Sequence, residues 1–200
     1  MSSDSLVQSL LLSGVLKSPS LIYAFKSIDR IDFVPQELRS MAYDDRPLPI
    51  GSSQTISQPY TVAFMLELLQ PGSDDRIMDL GSGSGWTTAL LASVCEHVDA
   101  VERQVNLLEF SKKNLSKYFF KNIDLHRAQK SLGLKGKSFD KILVSCAADE
   151  IPQSLVEQLT PEGVMVIPIQ HSIMKVTKTT RGTLKTEEYP GFVFVPLIED

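Results

Sequence analysis

Met78-Asp79-Leu80-Gly81-Ser82-Gly83-Ser84-Gly85-Trp86 is the most informative run of residues in this chain. The apolar residues at its start predict a short strand, Arg76–Leu80, which enters a loop with three alternating glycines. Residues 86–94 follow with helical spacing. Glycines let the backbone turn sharply and let a ligand approach where a β-carbon would clash. A plain tight turn would also explain the glycines alone, but strand, loop and helix in this order predict a nucleotide-binding loop.

The spacing of the glycines separates two kinds of nucleotide site. Gly81, Gly83 and Gly85 read GxGxG, whereas the dinucleotide fingerprint is GxGxxG. With Asp79 in the preceding strand, the loop resembles that of class I methyltransferases, which holds S-adenosylmethionine. The resemblance implies that Asp79 helps to position the methionine end of this cofactor, whose positive charges favour nearby negative charge. Glu102 lies 17 residues after Gly85, near the offset at which a carboxylate accepts hydrogen bonds from ribose hydroxyls.

Strands and helices alternate from this loop onward. Helix-length crossovers between strands require a largely parallel sheet with helices on both faces. The polar residues 181–189 are too few for a helical crossover, so an antiparallel pair is expected at one edge of the sheet. The predicted strands are Arg76–Leu80 and residues 97–101, 123–126, 139–145, 163–169, 174–180 and 192–197, and the predicted helices are residues 6–12, 21–28, a helix beginning at Pro59, and residues 86–94, 105–119 and 152–159.

The expected fold is therefore an α/β, doubly wound, mostly parallel seven-stranded Rossmann-like sheet with an antiparallel edge. Two hundred residues is an ordinary length for one domain. We expect a single domain over residues 1–200, in which a helical and loop extension (residues 1–58) packs on the core (residues 59–200).

Composition excludes several classes of protein. The net charge of −4 argues against nucleic-acid binding through a broad basic face. No apolar run approaches the roughly 20 residues of a membrane span, and the N-terminus lacks the pattern of a secretory signal. Cys95 and Cys146 are too far apart to suggest a metal site, so no metal is expected, and both are interpreted as packed thiols of a cytoplasmic protein. His97, His126 and His171 are interpreted as surface or packing residues.

Segments on both sides of the loop resemble the protein-L-isoaspartate (D-aspartate) O-methyltransferase family. The resemblance covers about residues 6 to 197, and it is most specific where Pro-Leu-Pro-Ile-Gly leads to Thr-Ile-Ser. The segments that carry it are Phe33-Val34-Pro35, residues 42–51, Gln54-Thr55-Ile56-Ser57-Gln58-Pro59, residues 139–145, Ala147-Ala148, Ile151-Pro152, Val166-Ile167-Pro168 and Phe194-Val195-Pro196-Leu197.

The resemblance implies an activity and a set of site residues. The cofactor would be S-adenosylmethionine, the acceptor the free carboxylate of L-isoaspartyl residues in damaged proteins and peptides, and the protein a monomer. Such a carboxylate is ionised at neutral pH and needs no general base. The family's functional serine falls on Ser57, whose alternative role is to cap the helix that begins at Pro59. The implied cofactor-binding residues are Thr55, Ile56, Ser57, Asp79, Gly81, Ser82, Gly83, Gly85, Glu102 and Gln129.

One turn departs from the family pattern. After the third core strand the family has Gly-Asp-Gly, whose carboxylate contacts the adenine amino group, and this chain has Ala128-Gln129-Lys130. The carbonyl of Gln129 could still accept a hydrogen bond from that amino group. The departure leaves two alternatives open, namely a weakly active or non-catalytic relative, and a methyltransferase for another peptide carboxylate.

Overall fold

The computed structural model describes residues 2–198, so Met1 and residues 199–200 of the expected domain lie outside it. The N-terminal part begins with helices α1 (Ser3–Leu12) and α2 (Pro19–Ser27). Two 3₁₀ turns follow, at Arg30–Phe33 and Gln36–Met41. The chain then forms a small antiparallel hairpin from β1 (Leu48–Gly51) and β2 (Gln54–Ile56), which the sequence pattern did not predict. Helix α3 (Pro59–Leu69) then leads into the core.

The core is one seven-stranded sheet with helices on both sides. The core elements are β3 (Arg76–Leu80), α4 (Trp86–Ala92), β4 (His97–Glu102), α5 (Val105–Leu115), β5 (Ile123–Arg127), β6 (Phe139–Val144), α6 (Gln153–Glu157), β7 (Leu159–Ile169), β8 (Ser172–Lys178) and β9 (Leu184–Pro190). The strand order is β5-β4-β3-β6-β7-β8-β9, and β3 pairs in parallel with both β4 and β6. The predicted fold class is confirmed, including the antiparallel edge, where β8 pairs antiparallel with β7 and β9.

The prediction of the last strand was wrong. Residues 192–197 were expected to form it, but the strand is Leu184–Pro190, within the segment interpreted as a polar connection. Thr179 donates its N–H to the carbonyl of Thr183, and Gly182 takes a φ of +79° between them, so β8 turns directly into β9. An edge strand of an antiparallel sheet can leave its side chains in water. The residues of β9 are therefore mostly polar and lack the alternation of apolar residues that predicts a strand.

Helix α5 is shorter than predicted, because it ends at Leu115 rather than at residue 119. Tyr118 leaves the helix and points its hydroxyl at the N-terminal part. The hydroxyl donates to Asp32 Oδ2 at 3.0 Å and accepts from the N–H of Asp29 at 3.0 Å. Tyr118 therefore makes tertiary hydrogen bonds outside the helix, although the apolar spacing predicted that the helix would continue to residue 119.

The N-terminal extension and the core share buried surface. Leu10 of α1, Phe25 of α2 and Ile77 of β3 belong to the same buried apolar cluster. The ring of Phe25 meets Trp86, the first residue of α4, edge-on with centroids 5.7 Å apart. The extension therefore packs on the core through shared apolar contacts. No helix among residues 2–198 is both long and apolar enough to cross a membrane.

Candidate active site

A cavity opens at the carboxyl ends of β3, β4 and β6. After β3 the chain adds β4 and β5 on one side of it and then crosses to β6 on its other side, and open α/β sheets bind ligands at such a switch point. The cavity measures about 1070 Å³, counted out to the surrounding solvent. It is bordered by Gln54, Thr55, Ile56, Ser57, Leu80, Gly81, Ser82, Gly83, Ser84, Trp86, Thr87, Val101, Glu102, Arg103, Gln104, residues 128–133, Ser145, Cys146 and residues 195–198.

Eight of the ten predicted cofactor residues border this cavity, and two do not. Those that border it are Thr55, Ile56, Ser57, Gly81, Ser82, Gly83, Glu102 and Gln129. Gly85 has a φ of +89°, and a β-carbon there would lie 3.1 Å from Ser111 Cβ and 3.3 Å from Leu115 Cγ. Its glycine therefore serves the close packing of α4 against α5. Asp79 is fully buried in β3, behind the loop.

Glu102 links the end of β4 to the glycine-rich loop. Its side chain is buried, and Oε2 accepts the N–H of Gly83 at 2.9 Å while Oε1 accepts the N–H of Gln104 at 2.8 Å. A carboxylate has about four acceptor positions, so each oxygen keeps one for a ligand. The residue can thus fix the loop and still accept hydrogen bonds from two ribose hydroxyls.

Asp79 is held in an unusual electrostatic state. Burial raises its pKa to about 7, the hydrogen bond from Thr88 opposes this, and the nearby charge of Glu102 adds to it. Thr88 Oγ1 donates to Oδ2 at 2.6 Å, whereas Oδ1 is buried and has no hydrogen-bond partner among the residues that the structure describes. A positive charge on a bound ligand would favour the ionised form of this carboxyl.

Ser57 does not cap α3, so that alternative for its role is wrong. The N-cap residue is Gln58, and the N–H of Tyr60 donates instead to Asp45 Oδ1 at 2.8 Å. The backbone carbonyl of Ser57 accepts a hydrogen bond from Arg30 at 3.0 Å. Within residues 2–198 its hydroxyl has no hydrogen-bond partner, and the residue borders the cavity. This hydroxyl is available to a ligand.

Arg30 holds the segment that carries Ser57 through hydrogen bonds to its backbone. No sequence pattern predicted this role. The side chain is 1% exposed, and burial lowers its pKa to about 10 against the raising effect of Asp45 and Asp44. Its two terminal nitrogens donate to four backbone carbonyls, those of Ala42 (2.7 Å), Asp44 (3.2 Å), Arg46 (3.0 Å) and Ser57 (3.0 Å). One guanidinium therefore connects the loop before β1 with Ser57, the residue that follows β2.

The loop with the departure from the family pattern is anchored from beneath. Ala128 donates its N–H to the carbonyl of Glu102 at 2.9 Å, and Gln129 and Lys130 are exposed at the cavity rim. Gln158 accepts the N–H of Leu134 at 2.7 Å and donates to the carbonyl of Leu132 at 3.0 Å. The loop thus reaches the cavity from a fixed base, although its glycines are replaced.

The C-terminal segment closes the opposite side of the cavity. Residues 195–198 border it, and they are held by Ala147, which follows β6. The N–H of Ala147 donates to the carbonyl of Val195 at 2.8 Å, and the N–H of Leu197 donates to the carbonyl of Ala147 at 2.7 Å. The stretch predicted as a strand therefore forms part of the site wall.

Solved structures share this fold. A protein-L-isoaspartate O-methyltransferase structure, 23% identical, superposes with a TM-score of 0.87 and covers 98% of this chain and 65% of its own. A beta-aspartate methyltransferase from Plasmodium falciparum, in complex with S-adenosyl-L-homocysteine, is 24% identical, with a TM-score of 0.85 and full coverage of both chains. With the glycine-rich loop at the switch point of the sheet, the protein has the fold of the class I methyltransferases.

The chain belongs to the protein-L-isoaspartate(D-aspartate) O-methyltransferase family, whose sequence profile matches residues 1–200. A protein-L-isoaspartate O-methyltransferase of Petrotoga mobilis is 40% identical over 189 residues, which are 92% of this chain and 89% of the relative. One from Pyrococcus horikoshii is 39% identical over 201 residues, with 96% and 90% covered. The resemblance seen in the sequence is confirmed.

Proposed function

We propose that this protein is a protein-L-isoaspartate O-methyltransferase, which methylates the free carboxylate of L-isoaspartyl residues in damaged proteins with S-adenosylmethionine. The observation that carries the proposal is the match to the family over the whole chain, at up to 40% identity to a relative of that name. The family-specific Thr55-Ile56-Ser57 segment borders the cavity at the carboxyl edge of the sheet, which supports the same activity.

The residues of the cavity fit S-adenosylmethionine. Glu102 offers two acceptor positions to ribose hydroxyls, and Gly81 and Gly83 give a ligand close access to the backbone. Gln129 is at the rim with a neutral acceptor for an adenine amino group. Asp79 lies behind the loop, and one of its oxygens has no hydrogen-bond partner within residues 2–198. When bound, S-adenosylmethionine supplies a methyl group on a positively charged sulfur.

The side chains have to orient the acceptor rather than activate it. A free carboxylate is already ionised at neutral pH, so a general base is unnecessary. Alignment of reacting groups can lower a barrier by several kcal/mol, on the order of 7–11 in the best cases. We assign this orientation to Ser57, because the residue borders the cavity and its hydroxyl is not used by any hydrogen bond within residues 2–198. Arg30 holds the carbonyl of the same residue.

Radiolabelled methyl transfer tests the proposal. The protein is incubated with labelled S-adenosylmethionine and either an isoaspartyl peptide or its normal-aspartyl twin. We expect label only on the isoaspartyl peptide. Equal labelling of both peptides would indicate a methyltransferase for other carboxylates, and no labelling of either, despite bound cofactor, would indicate a non-catalytic relative. Bound cofactor is scored by thermal protection, which S-adenosylhomocysteine should give and NAD should not.

We further propose that the protein acts as a monomer in the cytoplasm and has no nucleic-acid partner. Cys95 and Cys146 are both free thiols, which supports a reducing compartment. The net charge of −4 disfavours nucleic acid. Light scattering after size exclusion measures the mass directly, and a value twice the 22.2 kDa of the chain would contradict the monomer.

A further inference from the structure

A second polar cluster lies on β4 and β5, away from the cavity. Asp99 of β4 stands opposite Asp124 of β5 in the parallel register. His97 and His126 are two residues away from them along their strands, so all four side chains project from the same face of the sheet. None of the four borders the cavity. The sequence alone indicated only surface or packing roles for both histidines.

Asp99 has one satisfied oxygen and one unsatisfied oxygen. Its side chain has no exposed surface, and Oδ1 accepts hydrogen bonds from Lys137 Nζ and His126 Nε2, each at 2.6 Å. Oδ2 is buried and has no hydrogen-bond partner in the described part of the chain, and the same holds for Nε2 of His97, which lies 3.8 Å from it. Buried polar atoms without partners are costly, and two that face each other indicate a missing ligand.

Asp124 completes a triangle of donor atoms. Its Oδ2 lies 3.4 Å from His97 Nε2, and the donor atoms of His97, Asp99 and Asp124 all lie within 4.8 Å of one another. An ion centred between three such atoms would be roughly 2.0–2.4 Å from each, which spans the bond lengths of zinc to imidazole nitrogen and carboxylate oxygen. Hydrogen bonds alone would not explain the triangle, because His97 Nε2 can make only one hydrogen bond and two carboxylate oxygens lie near it.

We propose that His97, Asp99 and Asp124 bind one Zn²⁺ ion. The two carboxylates carry two negative charges, and Lys137 compensates only one of them. Lys137 and His126 fix the orientation of the Asp99 carboxylate through its other oxygen, as outer-shell partners of metal ligands do. The side chain of Asp124 is 59% exposed, which leaves an entry path and a fourth position for water. The ion would join two neighbouring strands near the edge of the sheet, apart from the reaction.

Zinc titration of the full chain tests the site. We expect one Zn²⁺ per chain by isothermal titration calorimetry and a rise in melting temperature on binding. Asp124→Asn removes the exposed ligand with little risk to folding, and it should weaken binding more than about tenfold, the lower end of what even an outer-shell partner contributes. Glu96→Gln is the matched control, because it removes an exposed carboxylate next to His97 in sequence but outside the triangle.

Two outcomes would overturn the proposal. One is the lack of stoichiometric binding by the wild type, which would mean that the cluster is only a hydrogen-bonded ion-pair network. The other is equal binding by Asp124→Asn and the wild type, which would place the metal elsewhere. Cobalt substitution adds a spectroscopic check, since a thiolate charge-transfer band would assign the ion to Cys95 or Cys146 instead.

Discussion

Asp45 Oδ1 accepts the backbone N–H of Tyr60 at 2.8 Å, so a loop residue caps α3 although Ser57 lies closer in sequence. The same carboxylate accepts a hydrogen bond from Gln58 through Oδ2 at 3.2 Å. Because the cap comes from Asp45, the hydroxyl of Ser57 is not needed for the stability of the helix. The structural and the proposed functional roles of this segment therefore belong to different residues and can be separated by mutation.

Ser57→Ala should lower methyl transfer at least about tenfold, because each 1.4 kcal/mol of lost orientation costs that factor. Its free energy of unfolding should stay within about 0.5 kcal/mol of the wild type. Asp45→Ala should show the opposite pattern. It should lose about 1 kcal/mol of stability with the cap of α3, and its methyl-transfer rate should change less than that of Ser57→Ala. Initial rates on the isoaspartyl peptide and urea unfolding measure the two effects, with Ser73→Ala as an exposed serine control. A Ser57→Ala variant with full activity would remove this serine from the mechanism.

Glu102→Gln should weaken S-adenosylhomocysteine binding by about 1.5–3 kcal/mol, the range for hydrogen bonds to a charged group. An amide has only one acceptor oxygen, so it cannot accept from both Gly83 and Gln104, and part of the loop anchorage is lost as well. Isothermal titration gives the affinity. Glu109→Gln, an exposed carboxylate on α5, is the control for a change in net charge. Unchanged affinity would show that no ligand hydroxyl reaches Glu102.

Arg30→Lys should destabilise the protein and impair methyl transfer together. Lysine keeps the charge but cannot present the planar fork that reaches four carbonyls. Leaving two or more of these carbonyls unpaired should cost about 2–5 kcal/mol. Urea unfolding measures the loss, and rates on the isoaspartyl peptide report the disorder around Ser57. Arg39→Lys, on the exposed 3₁₀ turn, should be neutral. Wild-type stability of Arg30→Lys would show that the loop orders itself without the guanidinium.

The raised pKa of Asp79 predicts a pH-dependent penalty. Asp79 has a folded pKa of about 7, above the unfolded value near 3.9. The stability that its protonated carboxyl contributes is therefore fully present below about pH 4 and is lost as the pH rises through about 7. Asp79→Asn removes this penalty. Between pH 5 and 7 the stability of the variant should therefore rise relative to the wild type by about 2 kcal/mol, since a full pH unit is worth about 1.36 kcal/mol and the loss levels off as the pH reaches the folded pKa. Urea unfolding at both pH values measures it, and parallel profiles would contradict the raised pKa.

The sequence predicted those parts of the site whose chemistry is local. Gly81, Gly83 and Glu102 are constrained by neighbours in the same strand–loop–helix unit, and they border the cavity. Gly85 lies in the same motif, but its packing against Ser111 and Leu115 depends on a helix later in the chain. Local spacing therefore identified the loop without distinguishing its lining glycines from its packing glycine.

Non-local hydrogen bonds account for what the sequence did not predict. Arg30 and Asp45 act on backbone groups of other loops, and such contacts follow no periodicity. The last strand failed for a related reason, because pairing with β8 rather than burial makes Leu184–Pro190 a strand. The apolar residues 192–197, which looked like a strand, are held instead through Ala147 against the cavity.

The replaced turn gives the last prediction, Gln129→Asp. Gln129 is exposed at the cavity rim, and its loop is fixed by Ala128 on Glu102 and by Gln158 beneath. If its side chain meets the adenine amino group, a carboxylate there makes a charge-assisted hydrogen bond, roughly twice as strong as a neutral one. We expect tighter S-adenosylhomocysteine binding, by about 1 kcal/mol or roughly fivefold.

Isothermal titration of the wild type, Gln129→Asp and Gln129→Ala decides the contact. The alanine variant should bind more weakly than the wild type, which separates a direct hydrogen bond from a general effect of charge. Lys130→Gln is the matched control, because it changes the charge of the rim by the same amount at the neighbouring residue. If Gln129→Asp and Lys130→Gln strengthen binding equally, the effect is long-range electrostatics. Identical affinity of all four proteins would mean that another rim residue contacts the adenine and that residues 128–130 do not occupy the place of the family's Gly-Asp-Gly turn.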